Sequence, residues 1–201
     1  MKLILLFLLL LSSCVCLPKQ TTLLPSASQV IVFEDSVTEL SADKFEKDLL
    51  AADSGNSAVF VVIRTGGGSV KAGLKMVNAI QFAKNPVVCI VDQEAMSMGS
   101  YIFEACPRRI MIKGGMLMMH KPSLGSPLAD LVEFRFLDGL LSSMCEAMAV
   151  NMNITGPELR ALILLKHEVY WTWREAMHYG AIDQVESSLK EALEHPFRDH
   201  L

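Results

Sequence analysis

The sequence lacks the features of several large classes of protein. Its 18 basic and 22 acidic residues are scattered along 201 positions, and no basic stripe would attract a nucleic acid. The glycine run Gly66–Gly68 lacks the Lys-Ser/Thr ending of a phosphate-binding loop. Cysteine and histidine form no CxxC pair and no cluster with metal-ligand spacing. We therefore expect no nucleic-acid partner, no metal and no cofactor.

The N-terminal apolar run, Leu3–Leu11, is shorter than the roughly 20 residues that a membrane span requires. It follows the positively charged start Met1-Lys2 and precedes the small residues Ser12-Ser13-Cys14. This order is typical of a secretory signal. We therefore expect the protein to be exported.

The end of this segment, Leu11-Ser12-Ser13-Cys14, resembles the bacterial lipobox, in which the cysteine is acylated and becomes the new N-terminus. It predicts a signal peptide at 1–14, lipidation of Cys14 and a membrane-attached lipoprotein. Val15 stands where an aspartate would retain the protein in the inner membrane, so we expect the periplasmic face of the outer membrane in a two-membrane bacterium. Cleavage a few residues later, or a retained signal anchor, are the alternatives.

The rest of the chain divides into a tether, one folded domain and a tail. Residues 15–28 contain two prolines and several Ser/Thr residues, which indicates a tether. Residues 29–185 suit one domain with a sizeable core. The polar residues 186–201 are expected to fray.

Within the domain, strands and helices alternate, which indicates parallel βαβ units. A long helix and two capping boxes at Thr155 and Thr172 follow. Cys89 lies in an apolar strand and Cys145 on an apolar helix, so both are expected to be buried free thiols. The predicted strands are Val30–Phe33, Ala58–Ile63, Val87–Val91, Arg109–Ile112 and Met116–Met119. The predicted helices are Ala42–Ala52 with Ser41 as cap, Val70–Ala83, Ser97–Ala105 and Leu128–Met152.

Three segments carry candidate chemistry. The glycine run follows a buried strand, so it is either a tight turn or a source of N–H groups that stabilise negative charge. Ser97 lies where a strand gives way to a helix, where it either caps the helix or exposes a nucleophilic hydroxyl. His120 ends an apolar strand, where it is either structural or a base for a serine nucleophile.

The order of four motifs resembles the proteolytic subunit of Clp protease over about Gln29 to Val185. The motifs are Gly-Gly-Ser-Val-x-Ala-Gly-Leu (67–74), x-Ser-Met-Gly (96–99), Met-x-His-x-Pro (118–122) and Glu-Ala-x-x-Tyr-Gly-x-Ile-Asp (175–183). The resemblance implies an α/β fold of the Clp/crotonase type, a spiral of repeated ββα units with a long protruding helix, the handle.

The same resemblance implies the roles of five residues. Ser97 would be the nucleophile, His120 its base, and the N–H groups of Gly68 and Met98 the oxyanion hole. Glu168 stands where the family usually has the aspartate of the catalytic triad. The alternative is that Glu168 is a solvated charge at a helix end.

Two departures concern assembly. His167 replaces the family's usual arginine, and the glycine-rich stretch after the His-x-Pro motif is reduced to residues 123–127. Both argue against the usual double ring, whereas the handle-like helix predicts a homo-oligomer, with a ring as one form. A Clp ATPase partner is expected only in the cytosol, because no ATP is available outside it.

The sequence thus predicts a serine endopeptidase that cleaves peptides or unfolded protein segments through an acyl-enzyme, without an ATP-driven partner. Three alternatives remain. One is a signal-peptide-peptidase-like Ser/Lys enzyme with Lys71 or Lys121 as base. The others are a crotonase-like enzyme that acts on acyl-CoA and an inactive Clp-like lipoprotein.

Overall fold

The computed structural model describes residues 29–123 and 131–197. The signal at 1–14 with Cys14, the tether at 15–28 and the predicted helix start at Leu128 lie outside the described residues. Within those residues, no helix is both long enough and apolar enough to cross a membrane.

Fourteen elements follow one another in these two described stretches. The strands are β1 (Val30–Phe33), β2 (Val59–Thr65), β3 (Val87–Met96), β4 (Arg108–Ile112), β5 (Met116–His120), β6 (Glu168–Thr172) and β7 (Gln184–Glu186). The helices are α1 (Glu39–Ala52), α2 (Val70–Gln81), α3 (Met98–Glu104), α4 (Leu131–Ala149), α5 (Gly156–Lys166), α6 (Trp173–His178) and α7 (Leu189–Glu194).

The strands form one sheet whose main path is β1-β2-β3-β4-β7, with every pair along it parallel. The apolar, β-branched run of β2 is buried almost throughout, as expected for a strand covered on both faces. The larger core lies on the face covered by most of the helices, and the smaller core includes Ala192 of α7 on the other face.

Strand β3 joins two parts of this sheet. Its first half, Val88–Val91, pairs with β4, and its second half, Glu94–Met96, pairs with β5. Strand β6 then pairs antiparallel with β5. Strand β3 runs five residues beyond its predicted end at Val91. It therefore ends at Met96, directly before Ser97.

Several predicted boundaries were wrong for local reasons. Helix α1 begins at Glu39, because Thr38 is its N-cap and Ser41 is the reciprocal partner of a capping box. The predicted tail is not frayed at 186–194, because β7 pairs with β4 and Ala192 of α7 is fully buried. The capping box at Thr155 is confirmed, and α5 begins at the next residue.

The cysteines divide into a pair and a single thiol. Cys89 on β3 is bonded to Cys106, which follows α3, so the prediction that Cys89 is a free thiol was wrong. Cys145 is confirmed as a free, buried cysteine. Burial raises the pKa of the Cys145 thiol to about 11.

Candidate active site

Ser97 lies at the turn between β3 and α3. Its backbone has φ 54° and ψ −118°, in a region that side-chain-bearing residues rarely adopt. Its N–H donates to the Met118 carbonyl at 2.7 Å, and its carbonyl accepts from the Ser100 N–H at 3.1 Å. These contacts hold a strained residue in place, which is common where a side chain must be aimed at a reaction centre.

The pairing of β3 with β5 brings Ser97 and His120 together. Met96 pairs with Met118, so Ser97 and His120 both lie just beyond the last paired residues of two neighbouring strands. Ser97 Oγ is 2.7 Å from His120 Nε2, and both residues are half-buried. Ser97 occupies the N-cap position of α3, yet its side chain makes no capping hydrogen bond. The hydroxyl is therefore directed to the histidine instead of the helix.

The glycine run lies against this turn. Gly67 and Gly68 have φ values of 92° and 147°, which favour glycine. A Cβ built on Gly67 would lie 2.8 Å from Ser97 Cβ and 3.0 Å from the Met98 nitrogen. Among the described residues, neither the Gly68 N–H nor the Met98 N–H donates to another backbone group. Within this part of the chain, both N–H groups therefore lack a backbone acceptor, that of Met98 directly after Ser97 and that of Gly68 directly after Gly67, which contacts the turn.

Ser100, in the first turn of α3, connects the elements around Ser97 and His120 through its side-chain hydroxyl. Its side chain is fully buried, and its hydroxyl lies 2.6 Å from the Ala95 carbonyl and 2.8 Å from the Met118 carbonyl. The hydroxyl has one proton, so it donates to one of these carbonyls at a time. Ser100 thus links β3, α3 and β5, which together carry Ser97 and His120.

Glu168 is the first residue of β6 and pairs across the ladder with His120. Its carboxylate, however, accepts a hydrogen bond from the Tyr170 hydroxyl at 2.9 Å. No hydrogen bond or ion pair joins it to His120, whose described hydrogen-bond partner is Ser97. The structure therefore brings Ser97 and His120 together but does not add Glu168 to them, and a triad role for Glu168 stays a prediction.

The lysine proposed as an alternative base, Lys71, pairs instead with Glu39 of α1 at 3.0 Å, and its side chain is 87% exposed. The other candidate, Lys121, follows His120 directly.

An apolar pocket opens beside Ser97 and His120. Its lining comes from α3, the end of β5 and the facing sides of α4 and α5, and five of its members carry sulfur. The lining includes Met98, Tyr101, Met119, Leu141, Met144, Cys145, Met148 and Ile163. The pocket offers a mostly apolar surface directly beside Ser97.

The far end of α3 contacts a largely buried polar cluster centred on Arg109. Glu104 and Asp183 accept hydrogen bonds from the Arg109 guanidinium, each at a closest distance of 2.7 Å. Glu104 Oε1 is buried without a hydrogen-bond partner. Burial raises the pKa of Glu104 to about 8, although Arg109 opposes this shift.

Sequence reasoning missed the roles of Ser100 and Tyr170 at this site. The sequence gives no signal that the Ser100 hydroxyl is buried, since Ser97 at the start of the same helix is the serine that the motif singles out. Tyr170 could have been found from the alternation Glu168-Val169-Tyr170-Trp171-Thr172, which puts Glu168 and Tyr170 on one face of a strand.

Comparisons with known proteins agree on the family of this chain and on its fold. The family described as Clp protease matches residues 20–188. The ATP-dependent Clp protease proteolytic subunit 1 of Chlamydia muridarum is 28% identical over 165 residues, 79% of this chain and 86% of that protein. The subunit of the same name from Streptomyces avermitilis is 25% identical over 185 residues, 82% of this chain and 78% of that protein.

Among solved structures, a ClpP1 variant from Listeria monocytogenes matches with a TM-score of 0.66. The match has 18% identity and covers 81% of this chain and 94% of that one. The predicted α/β fold of the Clp/crotonase type is thereby confirmed.

Proposed function

Because the chain belongs to the Clp protease family, whose members are peptidases, we propose that it is a serine endopeptidase that cleaves peptides or unfolded protein segments. The observation that carries this proposal is the 2.7 Å contact between Ser97 Oγ and His120 Nε2 at a strained turn. A nucleophilic serine needs a base of this kind within hydrogen-bonding reach.

In the first half of the proposed reaction, Ser97 Oγ attacks the peptide carbonyl carbon while its proton passes to His120 Nε2. The carbonyl oxygen becomes an oxyanion, which the N–H groups of Gly68 and Met98 stabilise. The tetrahedral intermediate collapses, the C–N bond breaks, and His120 gives its proton to the leaving amine. The other product is an ester of Ser97.

In the second half, His120 removes a proton from water as the water attacks this ester. Collapse of the second tetrahedral intermediate releases the acid and returns the proton to Ser97. Glu168, when turned toward His120 Nδ1, would hold the ring in the required tautomer and stabilise the imidazolium.

The apolar pocket supports a preference for uncharged side chains next to the cleaved bond. A charged side chain there would lose its hydration among Met119, Met144 and Ile163 without gaining a partner. The cavity holds only about 30 Å³ in this structure, so small or unbranched apolar side chains should be preferred, and larger ones would enter only when the flexible methionines change shape.

We place the enzyme outside the cytoplasm, attached to a membrane through Cys14. The signal-like N-terminus motivates this location, and the Cys89–Cys106 disulfide supports it because such bonds persist in oxidising compartments. There, the enzyme would act without an ATP-driven partner.

Exposed apolar side chains on the α4–α5 pair, Phe136 and Leu165, support a homo-oligomer.

The test is labelling with a fluorophosphonate, which reacts with activated serines, together with cleavage of unfolded peptides. The native chain should be labelled, and Ser97→Ala should lose both labelling and cleavage. Loss of a catalytic serine typically lowers kcat by about 10⁶-fold. Ser143→Ala, an exposed serine on α4, is the matched control and should behave like the native chain.

Two further variants separate the alternatives. His120→Ala should be inactive, whereas Lys71→Ala should retain activity. Loss of activity in Lys71→Ala with retention in His120→Ala would favour the Ser/Lys class. Cleavage that persists in Ser97→Ala would overturn the proposed function.

A further inference from the structure

The β5–β6 ladder places four side chains on one face. His120 lies opposite Glu168, and Met118 lies opposite Tyr170. Side chains of residues directly opposite in an antiparallel pair have Cβ atoms about 5 Å apart, and residues two apart on a strand share a face. Glu168 therefore has His120 across the ladder and Tyr170 along its own strand, both within reach of one flexible side chain.

The carboxylate is held by the second of these neighbours. Tyr170 donates its hydroxyl to Glu168 Oε2 at 2.9 Å, and Glu168 raises the pKa of Tyr170 by accepting that hydrogen bond. Both side chains lie on the exposed face of β6, whereas Val169 and Trp171 are buried on the other face. Because His120 is the cross-strand partner of Glu168, rotation about the side-chain bonds of Glu168 offers a route from Tyr170 toward His120 that needs no change of strand pairing.

We propose that Tyr170 is a positioning residue, which competes with His120 for the Glu168 carboxylate and so sets how often the serine–histidine pair has its acidic partner. The inference rests on the proposed function. Tyr170 touches no reacting atom and acts only through Glu168. The fraction of molecules with Glu168 on His120 sets the fraction that is fully competent, so the tyrosine lowers the rate and leaves the substrate pocket unchanged.

The experiment compares Tyr170→Phe with the native chain. The phenyl ring keeps the packing and removes only the hydroxyl. Freeing Glu168 from one hydrogen bond should raise kcat, and the rate of fluorophosphonate labelling of Ser97, by about fivefold. KM should stay unchanged. In proton NMR spectra, a far-downfield resonance of His120 Nδ1–H bonded to carboxylate should gain intensity.

A matched control removes another tyrosine hydroxyl. Tyr179 stacks on Trp171 of β6, and the Trp171 side chain lies on the face of that strand opposite to Glu168 and Tyr170. Tyr179→Phe should leave kcat and the downfield resonance unchanged. In a Glu168→Gln background, Tyr170→Phe should bring no gain, because the competing carboxylate is absent.

The outcomes for this inference are distinct from those for the function. If Ser97→Ala still cleaves, the proposed function fails, whatever Tyr170 does. If Ser97→Ala is inactive, three results for Tyr170→Phe would refute the competition: the native kcat, a lower kcat, or a gain in kcat that survives in the Glu168→Gln background. The serine mechanism would stand in each of these cases. A changed KM at constant kcat would make Tyr170 a substrate-binding residue instead.

Discussion

At the scale of single residues, Gly67 lies very close to the turn that carries Ser97, the proposed nucleophile. A Cβ on Gly67 would lie 2.6 Å from the Met96 carbonyl oxygen and 2.8 Å from Ser97 Cβ. These neighbours are backbone or close to it, so they cannot rotate away. The φ of 92° adds strain for any side chain. The turn that aims Ser97 must therefore shift when Gly67 gains a methyl group.

We predict that Gly67→Ala lowers kcat/KM by about 100-fold, the size of effect that follows a displacement of about 1 Å at a reacting group. Gly66→Ala is the matched control, because a Cβ on Gly66 has no neighbour within 4 Å. Peptide cleavage and fluorophosphonate labelling would be measured for both. Equal activity of the two variants would mean that the turn does not depend on the glycine contact.

Single residues also show what sequence can and cannot reveal about a site. Ser97 and His120 are 23 positions apart, yet the motif order predicts both, and the structure places them in contact. Glu168 was predicted from a motif position alone. A motif gives the backbone position, which does face His120, but not the rotamer, which depends on the competing hydroxyl of Tyr170.

At the scale of the elements, patterns of burial explain the successes and the failures. The apolar runs of β2 and of Val87–Val91 in β3 were predicted because strand segments covered on both faces exclude polar residues, whereas the polar second part of β3 was not. Strand β6 was missed although Val169 and Trp171 alternate with polar residues, since five residues are a short signal after a helix. Helix α7 was missed because its apolar positions are few, and its burial depends on a sheet face assembled from distant strands.

The buried end of α3 predicts how stability responds to pH. Burial holds the pKa of Glu104 near 8, above its ordinary 4.5, and one carboxylate oxygen has no partner that would stabilise a charge. Between these values, the folded chain keeps a proton that the unfolded chain releases. The contribution of Glu104 to stability is therefore fully present below about pH 4.5 and is lost as pH rises through about 8.

We predict that the free energy of unfolding falls by an amount on the order of a few kcal/mol over this range, superimposed on other titrations. Glu104→Gln should flatten that part of the profile, and the exposed Glu94→Gln should not. Urea unfolding at several pH values would measure this. A profile of Glu104→Gln that runs parallel to the native one would show that the carboxyl is already ionised beside Arg109 at low pH.

At the scale of the whole molecule, the disulfide relates the fold to its surroundings. Cys89 and Cys106 are 17 positions apart, and the segment between them contains the second half of β3, Ser97 and all of α3. The bond thus closes the strand–turn–helix unit that carries the proposed nucleophile. Sequence could not predict the pairing, because it depends on α3 folding back along β3.

This bond should make global stability depend on redox conditions. A cross-link around a loop of this length removes disorder from the unfolded chain and stabilises the fold by about 3 kcal/mol. We predict that a reductant lowers the free energy of unfolding of the native chain by about that amount. Both sulfurs are fully buried, so the reduced state must be prepared by refolding in reductant rather than by brief exposure of the folded protein.

Two variants make the measurement specific. Cys89→Ala/Cys106→Ala should be less stable than the native chain and insensitive to reductant. Cys145→Ala, which removes the free buried thiol, should keep the full response. If the native chain unfolds at the same denaturant concentration with and without reductant, the pair contributes nothing to stability and its support for an oxidising compartment disappears. If the response is present, a reducing environment would lower the stability of the strand–turn–helix unit that carries the proposed nucleophile.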